Sequence, residues 1–229
     1  MKLAVMQSNY IPWKGYFDLI ALVDKFIILD GVQYTKNDWR NRNIIKTASG
    51  VQWITIPVRS KFGQKIKDTQ ICGDEWRETH WKSLLQNYRR APHFYEVSGM
   101  LEELYLTEYS SISEVNKKFI LCVCSYLDIE TEIIDSSCFE LASDKNERLI
   151  SLCKQSGASE YVSGPAAKNY IDCDLFLNEK IELTWFSYDG YPIYKQLYGD
   201  FVHGVSILDL LFNCGKSSHI YMKCVRNSR

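Results

Sequence analysis
Long apolar runs are missing from this 229-residue chain. None approaches the roughly 18 consecutive apolar residues that a membrane-spanning helix needs, which excludes a span of that kind. The amino end also lacks a signal-peptide layout, because Leu3-Ala4-Val5-Met6 is too short for an apolar signal core. The expectation is a cytoplasmic protein. Excess charge of either sign is absent too: 27 Lys and Arg face 28 Asp and Glu, a net charge of -1. No long-range field therefore draws the chain to nucleic acid, and no nucleic-acid partner is expected. There is no CxxC pair among the eight cysteines, which argues against a zinc ribbon and a thioredoxin motif. The four histidines, at positions 80, 93, 203 and 219, show no metal-ligand spacing. Neither a metal nor a cofactor is expected. Most of the cysteines read as buried free thiols, with Cys214, between Asn213 and Gly215, the one to weigh as a nucleophile. Internal repeats, low-complexity segments and linkers are missing as well.

What is present is 46% hydrophobic content, enough for one sizeable core. The opening stretch organises the rest. Lys2–Met6 is a short apolar run that reads as a strand, broken by the turn chemistry of Gln7 to Pro12. Phe17, Leu19, Ile20, Leu22 and Val23 recur at near-helical spacing, and Lys25 to Asp30 is a second strand. Both strands are apolar throughout, as in a parallel sheet covered on both faces. Ligands of such sheets sit beyond the carboxyl ends of the strands. Gln7, Asn9 and Tyr10 follow the first strand, Asp30 and Gln33 the second, and all should face one crevice. The polar loop 34–43 comes next. Its Lys36, Arg40 and Arg42 alternate with Asn37, Asn41 and Asn43, a mixture suited to an anionic or polyhydroxylated ligand.

Residues 44–58 suggest a hairpin, and 65–72 a weak strand. Helices are predicted from Asp74 to Tyr88, over 94–106 and over 112–127, the last begun by Ser113 with Asn116. His80 lies in the first of these helices and is an even choice between a hydrogen-bonded core residue and a functional one. A strand at 131–135, a helix from Ser143 to Gly157 and a strand at 160–163 follow. Ser163-Gly164-Pro165 then repeats the opening pattern of strand, Gly/Pro loop and short helix, either a phosphate seat or a structural turn. Phe176, Ile181 and 183–186 suggest two short strands. Tyr194 and Gln196 lie in extended chain, His203 in a loop, and Ser206 reads as the cap of a final helix. Asp209, three residues on, fits either a capping box or a site. Ser206, His203 and Asp209 are triad residue types, but their crowding around one helix start opposes triad geometry. The alternation of strands and helices gives an α/β fold with a central, mainly parallel sheet. It is read as one domain over 1–229, with a helical insertion at about 74–127.

The successive segments QSNYIPWKGYF, LDGVQYTKNDWRNRN, WITIPV, HWKSLLQNYRRAPHF, EYVSGPAAKNYI and GVSILDLLFNCG resemble the motifs of the WbqC-like family along nearly the whole chain. One departure is Ser8, where that family usually has proline after the glutamine. The resemblance implies a role in building or decorating bacterial surface polysaccharide such as O-antigen. A second resemblance is architectural. Asn9 to Tyr16, with the helix and strand that follow, is similar to the first Rossmann-like βαβ unit of HIGH-motif nucleotidylyltransferases. On that frame Trp13 and Tyr16 stand where the two phosphate-binding histidines would be, so the donors that neutralise a transferring phosphoryl group are lost.

The expected function is a group transferase: an acyl or aminoacyl group moves from a thioester, for instance on an acyl-carrier protein, to the amine of a nucleotide-linked sugar. Asp30, His80, His203 and Asp209 are the candidate acid–base residues. Gln7 or Asn41 would serve the oxyanion, and Arg40 and Arg42 a phosphate. Asn9, Tyr10, Tyr16, Gln33, Ser163, Gly164, Tyr194, Gln196 and Ser206 complete the substrate-binding set. Nucleotidyl transfer and a non-catalytic nucleotide-sugar binding module are the alternatives.

Overall fold
Alternation inside the apolar runs decides the architecture. In the computed structural model, which describes residues 1–225, Leu3 and Val5 pack on one side of a sheet and Ala4 on the other. Ile27 likewise opposes Phe26 and Ile28, and Tyr161 opposes Val162. A strand whose odd and even side chains are both apolar is stable only with both faces covered, and this one is.

In chain order the elements are β1 (Lys2–Met6), α1 (Lys14–Leu22), β2 (Lys25–Ile28), the hairpin β3 (Arg42–Thr47) and β4 (Gly50–Thr55), and the two-residue strands β5 (Val58–Arg59) and β6 (Gln70–Ile71). Three helices follow, α2 (Glu75–Tyr88), α3 (Phe94–Leu106) and α4 (Ile112–Tyr126). Then come β7 (Glu132–Asp135), α5 (Lys145–Ser156), β8 (Glu160–Ser163), α6 (Cys173–Asn178), β9 (Glu182–Trp185) and α7 (Ile207–Cys214). The fold is α/β, with a five-stranded, all-parallel sheet in the order β7-β2-β1-β8-β9. From β1 the chain winds outward through β2 to β7, then returns to the other side of β1 and continues through β8 to β9. The winding reverses between β1 and β8, and a crevice opens at such a reversal, beyond the strands' carboxyl ends.

On one face the core joins Ala4, Phe26 and Ile28 to α1, α2, α3, α4 and α7, through residues such as Phe17, Leu84, Leu101, Phe119 and Phe212. The predicted insertion therefore contributes directly to this core, and the hairpins β3–β4 and β5–β6 precede its helices. On the other face Leu149, Leu152 and Cys153 of α5 and Phe176 of α6 cover Leu3, Val5 and Ile27. Each fully buried Leu, Ile or Phe contributes roughly 1.5–3 kcal/mol.

Local differences from the sequence reading have local causes. Helix α4 starts at a Ser111 cap, whose hydroxyl accepts from the Glu114 N–H at 3.3 Å. Ser113 and Asn116 are thereby released for other partners. Asp74 makes no cap; its carboxylate pairs with Arg77 at 3.2 Å. Phe176 lies on helix α6 rather than a strand, and residues 165–169 form a single 3-10 stretch. Asp144 caps α5 and Gly157 ends it in the left-handed region, as expected. The seven cysteines from Cys72 to Cys214 are free thiols, but only Cys124, Cys153 and Cys214 are buried, because the others fall on half-exposed or exposed positions. No helix among the described residues is long and apolar enough to cross a membrane.

Candidate functional site
The segment leaving β1 is held from several sides. The Tyr10 N–H donates to the Trp39 carbonyl at 2.9 Å, and the Ile207 N–H to the Pro12 carbonyl at 2.9 Å. The Asn43 side-chain amide donates to the carbonyls of both Tyr10 and Ile11, each at 2.9 Å. These bonds keep Ile11, fully buried, at a φ of 36°. A β-branched residue rarely visits that region, and such strain persists only where its surroundings over-determine it.

Beside this segment Arg40 points inward, its side chain only 12% exposed. Its two terminal nitrogens donate to Gln7 Oε1 and Asn9 Oδ1. Both acceptors are neutral amides. Asp38 stands 3.6 Å away, beyond hydrogen-bond reach, and Arg40 Nε has no hydrogen-bond partner among the described residues. Burial lowers the Arg40 pKa, partly offset by Asp38. Burial also opposes ionisation of Asp38, but the Thr35 hydroxyl and Arg40 outweigh it and hold that carboxyl below its ordinary value. Three more buried polar atoms without partners lie close in sequence or contact: Asn41 Oδ1, Arg42 Nε and Asn116 Oδ1. A buried cation held by neutral dipoles is stabilised further by an anion.

Asp30, only 1% exposed, sits directly behind. Its carboxylate accepts from the Ser8 N–H at 2.9 Å, the Ser8 hydroxyl at 2.7 Å and the Ser113 hydroxyl at 2.5 Å. Asn116 in turn donates to Ser8 Oγ at 3.0 Å and to the Arg40 carbonyl at 2.8 Å. Asp30 thus ties β2, the segment after β1 and α4 together. Tyr16 adds a bond from its hydroxyl to the Gln7 carbonyl at 3.1 Å, and burial raises its pKa.

Tyr10 and His80 belong to an interior chain of polar tips. The Tyr10 hydroxyl meets Tyr105 Oη at 2.7 Å and His80 Nδ1 at 2.9 Å. Burial lowers the His80 pKa to about 4, against the smaller effect of its bond to the Thr55 backbone. The imidazole is neutral, with Nδ1 as the acceptor. A base held below its unfolded value stabilises fully above that value and loses the contribution as it is protonated in the unfolded chain. From pH 6.5 down to about 4 this group should cost the fold about 3 kcal/mol. His80→Gln retains an acceptor and a donor without titrating, so its melting temperature should fall less over that interval. Parallel profiles for the two proteins would remove His80 as the cause.

Asp209 anchors a separate network. Its carboxylate accepts from Tyr194 at 2.8 Å and Tyr88 at 2.9 Å. Burial raises its pKa, and these two hydroxyls partly oppose that. Gln196 donates to Tyr194 Oη at 3.2 Å and accepts from Lys46 Nζ at 2.9 Å. Lys14 lies alongside, over the rings of Tyr191 and Tyr194 at 4.8 and 5.2 Å, and burial lowers its pKa to about 8. The Ser206 hydroxyl caps α7, accepting from the Leu208 N–H at 3.2 Å. His203 is exposed and packs edge-on against Phe201 at 4.5 Å; burial and Lys14 both lower its pKa. The three residues around the start of α7 therefore form no hydrogen-bonded triad. Burial pushes the Cys214 thiol up to about 11, which leaves it protonated and weakly nucleophilic near neutral pH.

Besides the Tyr10–His80–Tyr105 chain, two groups stand out. Gln7, Asn9, Arg40 and Asp30 share one connected network beyond the end of β1, and Asp209, Tyr194 and Gln196 share another around α7. Both groups lie inside one family match. A family model described as the WbqC-like protein family matches residues 7–221.

The chain belongs to the WbqC-like family.

A Mycobacterium tuberculosis (strain ATCC 25618 / H37Rv) protein described as "Uncharacterized protein Rv1507c" is 53% identical over 228 residues, covering 98% of this chain and 99% of that protein. No solved structure matches the chain.

In this WbqC-like chain the remaining candidates are dispersed. Gln33 is exposed and bridges to Lys65. Asn41 donates to the Ile56 carbonyl at 2.8 Å, and Arg42 bonds the Asn37 carbonyl. Ser163 ends β8, next to β1, and a Cβ on Gly164 would come within 3.2 Å of the Tyr188 ring. A surface cleft lies elsewhere, lined by Arg59, Lys61, Phe62 and Gln64. Its walls are mostly exposed turn residues, and it has none of the unpartnered buried groups that mark the Arg40 region. Sequence reasoning missed Lys46, Tyr88, Ser113 and Asn116 as members of these networks. For Ser113 and Asn116 a signal existed: they are polar positions among the buried Ile112, Val115 and Phe119 of α4.

Proposed function
We propose that this WbqC-like protein is a group transferase of bacterial surface-polysaccharide assembly. It moves an acyl or aminoacyl group from a thioester, on an acyl-carrier protein or a small carrier, to the amine of a nucleotide-linked amino sugar. One observation carries the reading: Arg40, half-buried and without a hydrogen-bonded counter-charge, stands with Gln7 and Asn9 beyond the carboxyl end of β1, beside the reversal of the strand order. Open α/β sheets take nucleotides at that place. Arg40 holds a phosphate of the sugar nucleotide, and Gln7 and Asn9 orient the guanidinium. In the reaction the amine attacks the thioester carbonyl, a C–N bond forms, the C–S bond breaks, and the amine proton ends on the released thiol. His203, exposed beside Phe201 with its pKa lowered by burial and Lys14, is the candidate to accept that proton first. Asp30 and His80 position the walls of the site, and Asp209 orders the segment carrying Tyr194.

The winding order also favours a second reading, nucleotidyl transfer on a HIGH-nucleotidylyltransferase-like frame. Against it, Tyr16 is committed to the Gln7 carbonyl. The two are separated by products. The protein is incubated with nucleotide-linked amino sugars and acyl thioesters, and free thiol and sugar mass are followed. Thiol release matched by an acylated sugar is expected. Pyrophosphate release from a nucleoside triphosphate would replace the first reading with the second. Thermal stabilisation by a sugar nucleotide, with no turnover of any donor, would leave a binding module.

A further inference from the structure
Two tryptophans belong to neither network. Trp39 and Trp53 are 41% and 44% exposed, in a chain that buries most of its aromatic rings. Their ring centroids lie 5.2 Å apart at an interplanar angle of 32°. Trp53 projects from β4, opposite Ile44 of β3. Arg42, two residues from Ile44 on the same face of the hairpin, places its guanidinium 4.3 Å from the centre of the Trp53 ring. That contact holds one face of the indole in a set orientation. The hairpin's opposite face is buried: Asn43, Ile45 and Ile54 are almost inaccessible, and Asn43 grips the segment after β1. The Trp39 backbone is fixed too, since its carbonyl accepts the Tyr10 N–H, and its ring leans on that of Trp53. The residue after it is Arg40. One side chain of this pair lies on the surface and the next reaches inward to Gln7 and Asn9.

We infer that Trp39 and Trp53 form a stacking platform for the nucleobase of a nucleoside diphosphate whose phosphates run inward to Arg40 and Arg42. The inference rests on the proposed sugar-nucleotide acceptor and names which part of it is held where. A rigid aromatic pair beside cations matches a ligand with a flat neutral end and an anionic middle. Stacking tolerates different bases because each has a π face, so affinity for several nucleoside diphosphates should be of similar order. The sugar would lie past the phosphates, towards the end of β1.

The test is calorimetric titration of UDP, ADP, GDP, a UDP-linked amino sugar and inorganic pyrophosphate into wild type, Trp39→Ala, Trp53→Ala, Trp53→Phe and Arg40→Gln. Each alanine variant should weaken nucleoside diphosphate binding about tenfold or more, with pyrophosphate affinity unchanged within about twofold. Trp53→Phe should retain most of the affinity. Arg40→Gln should weaken both ligands. Melting temperatures of the tryptophan variants should stay near wild type, since both rings are already half exposed. If the alanine variants bind nucleoside diphosphates as wild type does, while Arg40→Gln does not, the platform is wrong and the acceptor reading stands. The platform is equally wrong if they lose affinity for a sugar nucleotide but not for the diphosphate, because the rings then hold the sugar. If wild type binds no nucleotide and no sugar nucleotide, the acceptor reading fails and takes the platform with it.

Discussion
Replacing Arg40 by glutamine should weaken sugar-nucleotide binding by about a hundredfold or more while leaving the melting temperature unchanged or raised. The two halves of this expectation come from one fact. The guanidinium is buried against the neutral oxygens of Gln7 and Asn9, with its nearest ion-pair partner, Asp38, at 3.6 Å. Desolvating a charge without full pairing costs stability, and its removal returns that cost. Each charge-assisted hydrogen bond to a phosphate is worth about 1.5–3 kcal/mol, so losing two gives the expected factor. Lysine should not rescue binding, because a point charge cannot reproduce a planar fork that bonds amides and phosphate together. Calorimetry and thermal melts of wild type, Arg40→Gln and Arg40→Lys check this. Unaltered affinity in Arg40→Gln would end the anion-site reading. A collapse in stability would mean that Arg40 is a structural cation already neutralised by its surroundings.

The opposite pattern is expected at Asp30. Its carboxylate accepts one N–H and two hydroxyl protons in a site closed to solvent. Asp30→Ala leaves all three donors without an acceptor and separates α4 from the segment after β1. Unpaired buried donors cost roughly 1–3 kcal/mol each, and a total loss of about 3–5 kcal/mol is expected. For a chain of this length that lowers the melting temperature by on the order of 10 °C. Ser113→Ala removes one donor and keeps the rest, so its loss should be about 1 kcal/mol. Urea titrations of the two variants measure both. An Asp30→Ala protein as stable as wild type, yet inactive in the proposed acyl transfer, would move Asp30 from wall to chemistry.

The two residues also show where sequence reading stops. Arg40 was legible as a candidate ligand-site cation because the loop 34–43 is too polar to pack as core and follows a strand of a parallel sheet. Asp30 was equally visible as a carboxylate at a strand end, but its role depended on Ser113, 83 residues away. The same holds for Asp209, whose fit to a capping box was sound on spacing alone. In the folded chain the Ser206 N–H goes to the Ile44 carbonyl, and the carboxylate turns to Tyr88, 121 residues distant. His203 and Ser206 look like partners in sequence, yet one is exposed and the other is a buried cap.

By itself the sequence determined the parallel sheet with both faces covered, the helices and most of their ends, and the loops that carry polar groups. Those features follow from periodicity and turn chemistry, which act over a few residues. Only the tertiary structure decided which polar groups meet. It set Asp30 on Ser8 and Ser113, His80 on Tyr10, Asp209 on Tyr88 and Tyr194, and Arg40 on two amides with a nitrogen to spare. The physical reason is that a buried polar group must be paired, and a partner tens of residues away leaves no local mark on the chain.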